Sequence, residues 1–177
     1  MKSIEDIARS FFASEDPARC GGAHNICLHC AKCRADEPEE IYNPAMGIAS
    51  VVDATILRAD ATKADIESLC EMANKYNTAS VCINSYFIAK TKALLKDSVK
   101  SCTVINFPLG SNSRKAVKKE AKAVLEAGVQ ELDMVQNIAA IKSQDWEMAL
   151  ETIKAVAIQC LETKVLLKVI LETCFLS

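Results

Sequence analysis

Val129-Gln130-Glu131-Leu132-Asp133-Met134-Val135 is the stretch whose reading decides the fold. It follows a break at Gly128 and is β-branched and apolar enough to read as a strand. Alternation puts Glu131, Asp133 and Val135 on one face and Gln130, Leu132 and Met134 on the other. A second run, Lys164-Val165-Leu166-Leu167-Lys168-Val169-Ile170-Leu171-Glu172, is apolar on both sides. That is the pattern of a parallel strand covered by helices. Lys168 sits in its middle, and burying a lone ammonium costs several kcal/mol, roughly, unless it is paired. If the two runs are neighbours in one sheet, Asp133 and Lys168 face a common space. Such a pair is either a catalytic site or a structural ion pair. A lysine near a strand end that reaches water is the third reading.

Outward from this pair, strands and helices alternate. The spacing predicts strands over Ile48–Asp53, Ala79–Asn84 and Cys102–Phe107, then the two above. Helices are predicted from a Thr62 cap through Tyr76, over Ser85–Leu95, over Ser113–Ala127 and over Gln144–Leu161. Asp65 near the start of the first helix and Gly128 after the third supply start and stop signals. A repeat of about 23–35 residues is the signature of βαβ units and a parallel sheet. Five strands suit a doubly wound sheet. A complete (β/α)8 barrel needs about 250 residues. Phosphate-binding glycine motifs of nucleotide folds are absent. Polar residues gather at the predicted strand ends: Asp53, Thr55, Asn84, Asn106, Asp133, Asn137 and Glu172. Barrel enzymes keep their chemistry at such positions.

The amino-terminal part is of another kind. Ser3–Ala13 has helical spacing of apolar residues and reads as a short amphipathic helix. Cys20, Cys27, Cys30 and Cys33 follow, with two successive C-x-x-C spacings and His24 and His29 among them. These can converge on zinc, and the run resembles half of a ferredoxin-type iron–sulfur motif; the other reading is a reduced, thiol-rich arm. An acidic segment with Pro38 and Pro44 then reads as a linker. The division expected is residues 1–46 as arm and linker and 47–177 as the β/α domain. The net charge of −2 gives no reason to expect nucleic acid or an acidic membrane surface. No apolar run approaches the roughly 20 residues of a membrane span. Nine cysteines without a secretory signal point to reduced thiols and a cytoplasmic protein.

Five blocks in order carry a family resemblance: Val52-Asp53-Ala54-Thr55-Ile56-Leu57, Ser80-Val81-Cys82-Ile83-Asn84, Cys102 through Gly110, Glu131 through Ile138, and Leu166 through Cys174. From about Gly47 onward the chain resembles deoxyribose-phosphate aldolase. The resemblance implies a TIM-barrel-type α/β fold, (β/α)8, of which this chain covers about five units. It implies reversible cleavage of 2-deoxyribose 5-phosphate to acetaldehyde and glyceraldehyde 3-phosphate through a lysine Schiff base, with no cofactor. Asp133 matches the proton-handling aspartate, and Lys168 a fifth-strand lysine of the same pocket. Asp53, Thr55, Leu57 and Cys82 match residues near the substrate.

Carbon–carbon cleavage beside a carbonyl needs an electron sink, either a metal or an iminium. The aldolase-like part has no histidine, so iminium chemistry is the expectation there. The family's Schiff-base lysine stands on a sixth strand, and the sequence ends at Ser177 before one. Little aldolase activity is therefore expected of the isolated polypeptide, and a complementary C-terminal fragment or a homo-oligomer is an expected partner. Two other functions stand beside this one: an inactive or regulatory aldolase fragment, and a metal or iron–sulfur module carried by the arm.

Overall fold

Each β/α unit forms for local reasons visible in the chain. The computed structural model describes residues 47–176; the helix, cysteine cluster and linker expected before Gly47 lie outside them. Strands β1 (Asp53–Ile56), β2 (Ser80–Ile83), β3 (Lys100–Ile105), β4 (Glu131–Val135) and β5 (Leu166–Ile170) are joined by helices. These are α1 (Lys63–Tyr76), α2 (Ile88–Leu94), α3 (Arg114–Glu126), α4 (Ile138–Lys142) and α5 (Trp146–Thr163). Thr62 and Asp65 close a reciprocal capping box at the start of α1, which satisfies two backbone donors the helix itself cannot. Asn77, in the left-handed region, stops that helix. Ser113 caps α3, and Gly128 follows its end at φ +79°.

All strand pairs are parallel, and the order is β1-β2-β3-β4-β5. A doubly wound sheet reverses its order at a switch point, with helices on both faces. This one never reverses. Right-handed crossovers in one direction place every helix on the same side. The core agrees: Ile66, Ala73, Ile88, Val117, Val124 and Val156 from the helices pack with Ala54, Val81, Ile83, Ile105, Leu132 and Met134 from the strands. The alternate strand residues line the other, helix-free face. The doubly wound alternative is thereby excluded, and the arrangement is a segment of a TIM-barrel-type fold.

Two boundaries differ from the sequence reading. Ile48–Val51 is a turn of 3-10 helix, and β1 begins at Asp53 rather than ending there. Pairing is set by β2, whose first residue, Ser80, sits opposite Asp53. The apolar run before it finds no strand partner among the described residues and stays exposed, with Ile48 at 75%. The predicted helix over 144–161 is α5, and a short helix the sequence reading did not include, α4, precedes it. Asn137 caps the short α4 and Asp145 caps α5.

Asn106 builds the loop after β3. It is 2% exposed and adopts φ +52°. Its amide donates to the Val135 carbonyl at 2.8 Å, its side-chain oxygen accepts from Asn112 N–H at 3.1 Å, and its own N–H donates to Glu120 at 3.0 Å. Gly110 closes the same loop at φ +60°. A Cβ there would stand 2.1 Å from the Gln136 carbonyl oxygen and 2.8 Å from Val135 Cγ1. Both atoms belong to packed structure and cannot swing away. Gly110→Ala is expected to lower stability by about 2 kcal/mol, read as a lower urea midpoint with an unchanged slope; an unaltered midpoint refutes this.

Candidate active site

The helix-free face carries a charged cluster drawn from three strands. Lys168 on β5 places its ammonium 2.6 Å from Asp53 Oδ2, 3.0 Å from Glu131 Oε2 and 3.2 Å from Asp133 Oδ1. Asp53 comes from β1 and the other two carboxylates from β4. Ser80 on β2 donates its hydroxyl to the second oxygen of Asp53 at 2.6 Å. Lys168 and Asp53 are about two-thirds covered, and Glu131 and Asp133 are 14% and 15% exposed.

The Asp53–Lys168 contact fixes the shape of the sheet. β1 and β5 are its two edges, four strand spacings apart. In a flat sheet that is about 19 Å, well beyond the reach of a lysine and an aspartate pointing the same way. A separation of 2.6 Å between their charged atoms requires the sheet to curl into a trough. The helix-free face is the inside of that curl, where side chains from non-adjacent strands meet.

The electrostatics follow from the crowding. Three carboxylates face one ammonium. Burial alone works against the Lys168 charge. The Asp53 hydrogen bond and the neighbouring Glu131 and Asp133 outweigh it, so its proton is held more tightly than a free lysine's. Asp133 moves the other way from most paired aspartates. Burial raises its pKa, and the nearby ammonium only partly opposes this. Asp133 Oδ1 is within ion-pair distance of Lys168 but receives no hydrogen bond among the described residues. Lys168 is thus a fixed cation and Asp133 a loosely held acid. A fixed cation is a poor nucleophile, since attack needs the neutral amine. A carboxyl whose proton affinity is raised suits proton pick-up and release.

Two cysteines complete the floor of the trough. Cys82 and Cys102 lie opposite each other on β2 and β3, 3% and 0% exposed. The Cys82 side chain and burial together push the Cys102 thiol up. Val104 and Leu57 pack on the pair. An apolar cleft of about 280 Å³ lies among the loops after β3, β4 and β5, lined by Pro108, Leu109, Ser111, Ile138, Ala139 and Phe175. None of the charged four lines it.

Of the residues singled out in the sequence, Asp133, Lys168, Asp53 and Cys82 come together on one face. Leu57 covers the cysteines from the end of β1. Thr55 is exposed and donates its hydroxyl to the Asp53 carbonyl at 2.8 Å. The structure adds Glu131, Ser80 and Cys102. Glu131 was legible as the residue two before Asp133 in an alternating strand. The Ser80–Asp53 bond had no signal, because the predicted strand ended at Asp53, where β1 begins.

Residues 48–176 match the family model described as DeoC/LacD family aldolase. A protein of Carboxydothermus hydrogenoformans named deoxyribose-phosphate aldolase is 47% identical over 133 residues, 73% of this chain and 58% of its own length. The chain thus spans a little under three-fifths of the curated relatives it matches. The solved structure titled QR15, an aldolase, is 32% identical with a TM-score of 0.68, over 74% of this chain and 58% of that one. The structure of a deoxyribose phosphate aldolase from Aeropyrum pernix, described as tetrameric, is 31% identical with a TM-score of 0.63. It is matched over 70% of this chain and 52% of that one.

Proposed function

We propose, for a chain that belongs to the DeoC/LacD family of aldolases, that its trough supplies the proton-handling part of a deoxyribose-phosphate aldolase site. The observation that carries this reading is the Lys168 ammonium held at 2.6, 3.0 and 3.2 Å by Asp53, Glu131 and Asp133. Cleavage of a 3-hydroxy aldehyde removes a proton from the hydroxyl and returns one to the carbon left behind. Asp133 takes and gives that proton, directly or through water. Lys168 supplies positive charge beside the oxygen on which negative charge grows. Asp53 and Glu131 orient Lys168, and Ser80 orients Asp53. Thr55, Leu57 and Cys82 border the substrate. The electron sink is an iminium on a lysine outside this cluster, which the resemblance places on a sixth strand; the described residues contain five strands.

The test is a fusion that continues this chain after residue 176 with the C-terminal portion of the C. hydrogenoformans relative. It should release acetaldehyde from 2-deoxyribose 5-phosphate. A folded fusion with no cleavage refutes the reading. With this chain alone, acetaldehyde and borohydride should leave no adduct on Lys168 at neutral pH. Mass spectrometry of the reduced product checks this, and an alkylated Lys168 contradicts the fixed-cation role.

The same reading places the protein in cytoplasmic deoxyribonucleotide catabolism, acting on small sugar phosphates and short aldehydes, as a homo-oligomer or with a complementary chain. No helix among the described residues is long and apolar enough to cross a membrane. Residues 1–46 form a separate arm in this proposal, with Cys20, Cys27, Cys30 and Cys33 as ligands for zinc or an iron–sulfur cluster. Metal content of the purified chain tests that part.

A further inference from the structure

The trough contains a second grouping, which shares Asp133 with the proton-handling set. The Sγ atoms of Cys82 and Cys102 and a carboxylate oxygen of Asp133 all lie within 4.8 Å of one another. Three adjacent strands supply them, one residue each. We propose that Cys82, Cys102 and Asp133 bind one thiophilic divalent cation, of the zinc or cadmium class, and that this occupancy competes with the proton-handling role of Asp133.

The geometry is close to what such an ion takes. With metal–sulfur bonds of about 2.3 Å in a tetrahedron, the two sulfurs stand about 3.8 Å apart. Side-chain rotations of an ångström or less bring the three donors to that spacing, and the strands need not move. Asp133 is the most weakly held of the three carboxylates, 3.2 Å from the Lys168 ammonium against 2.6 Å for Asp53. Its Oδ1 is buried without a hydrogen bond, while Lys168 is hydrogen-bonded to Asp53. When the ion binds, Lys168 keeps Asp53 and Glu131 as partners. Water or a substrate oxygen would complete the shell.

The charge balance also favours it. Two S–H bonds break, two metal–sulfur bonds form, and two protons leave to solvent. A dication replaces two protons, so the net charge of the trough does not change. Soft thiolate donors select zinc and cadmium over magnesium or calcium. Val104 and Leu57 shield the pair from bulk water.

The arm cysteines would mask the site, so the experiment uses the full-length chain carrying Cys20→Ser, Cys27→Ser, Cys30→Ser and Cys33→Ser, kept reduced. Cadmium should bind at one equivalent per chain, with ultraviolet thiolate-to-cadmium absorption. Cys82→Ser and Cys102→Ser should each weaken binding at least tenfold, and Asp133→Asn about tenfold with the absorption retained. Cys70→Ser and Cys160→Ser, buried on the helix side of the sheet, should leave binding unchanged. X-ray absorption of the zinc-loaded chain reads the donors without a further substitution. Two sulfurs with oxygen support the site. No stoichiometric binding, a shell of oxygen and nitrogen alone, or absorption that survives both Cys82→Ser and Cys102→Ser overturns it. None of these readouts needs turnover, so their failure leaves the aldolase reading standing.

Discussion

Lys168→Met should cost the fusion enzyme at least a hundredfold in rate and the fold about 2 kcal/mol at pH 7. The substitution keeps the length of the side chain and removes its charge. Asp53, Glu131 and Asp133 then face one another without a counter-ion. Breaking a fully buried pair costs about 3–5 kcal/mol; this one is a third open to solvent, at 33% for Lys168, so screening reduces the figure. The pH dependence has a definite sign. In the natural chain the Lys168 pKa lies above its unfolded value, so its contribution is complete below about 10.5 and is lost only as pH climbs through the higher folded value. In the variant, Asp133, whose pKa burial already raises, loses the ammonium that opposes the shift. The variant's deficit should therefore open as pH rises above about 4 and close below it. Urea melts of both chains at a series of pH values check this. A deficit independent of pH would mean that lost packing, not charge, is responsible.

Asp133→Asn should move activity and stability in opposite directions. Removing the proton acceptor should lower the rate of the fusion by roughly 10²–10⁴-fold with little change in KM. The isolated chain should gain stability on the order of 1 kcal/mol at pH 7. Burial raises the pKa of Asp133, so its ionisation works against the fold as pH rises through and above the ordinary carboxylate range. Asparagine removes that penalty and leaves Lys168 two carboxylates to satisfy it. The gain should vanish at pH values where Asp133 is protonated in both states. A destabilised Asp133→Asn at neutral pH would show that the Lys168 ion pair dominates instead.

The pairing of Asp133 with Lys168 was readable because strand alternation is a strict period of two. Once β4 and β5 are neighbours, Asp133 falls opposite Lys168 in register. The helix cap at Thr62 was readable because capping needs particular side chains at fixed offsets. The role of Asp53 as the shortest partner of Lys168 was not. It depends on curvature across four strand spacings, and no local pattern of residues reports curvature. Ile48–Val51 misled for a related reason. An apolar run signals burial only where something is available to bury it against, and β2 begins its pairing later.

β1 and β5 stand at opposite margins of the sheet, yet Asp53 and Lys168 tether them. The bend of the trough therefore does not wait for a barrel to close. On a ribosome, where a chain emerges from its amino end, five such units can fix their arc before any later strand has been made. Later strands would then meet a hollow already charged and already curved, and vectorial synthesis would end by fitting a lid of strands to a standing wall.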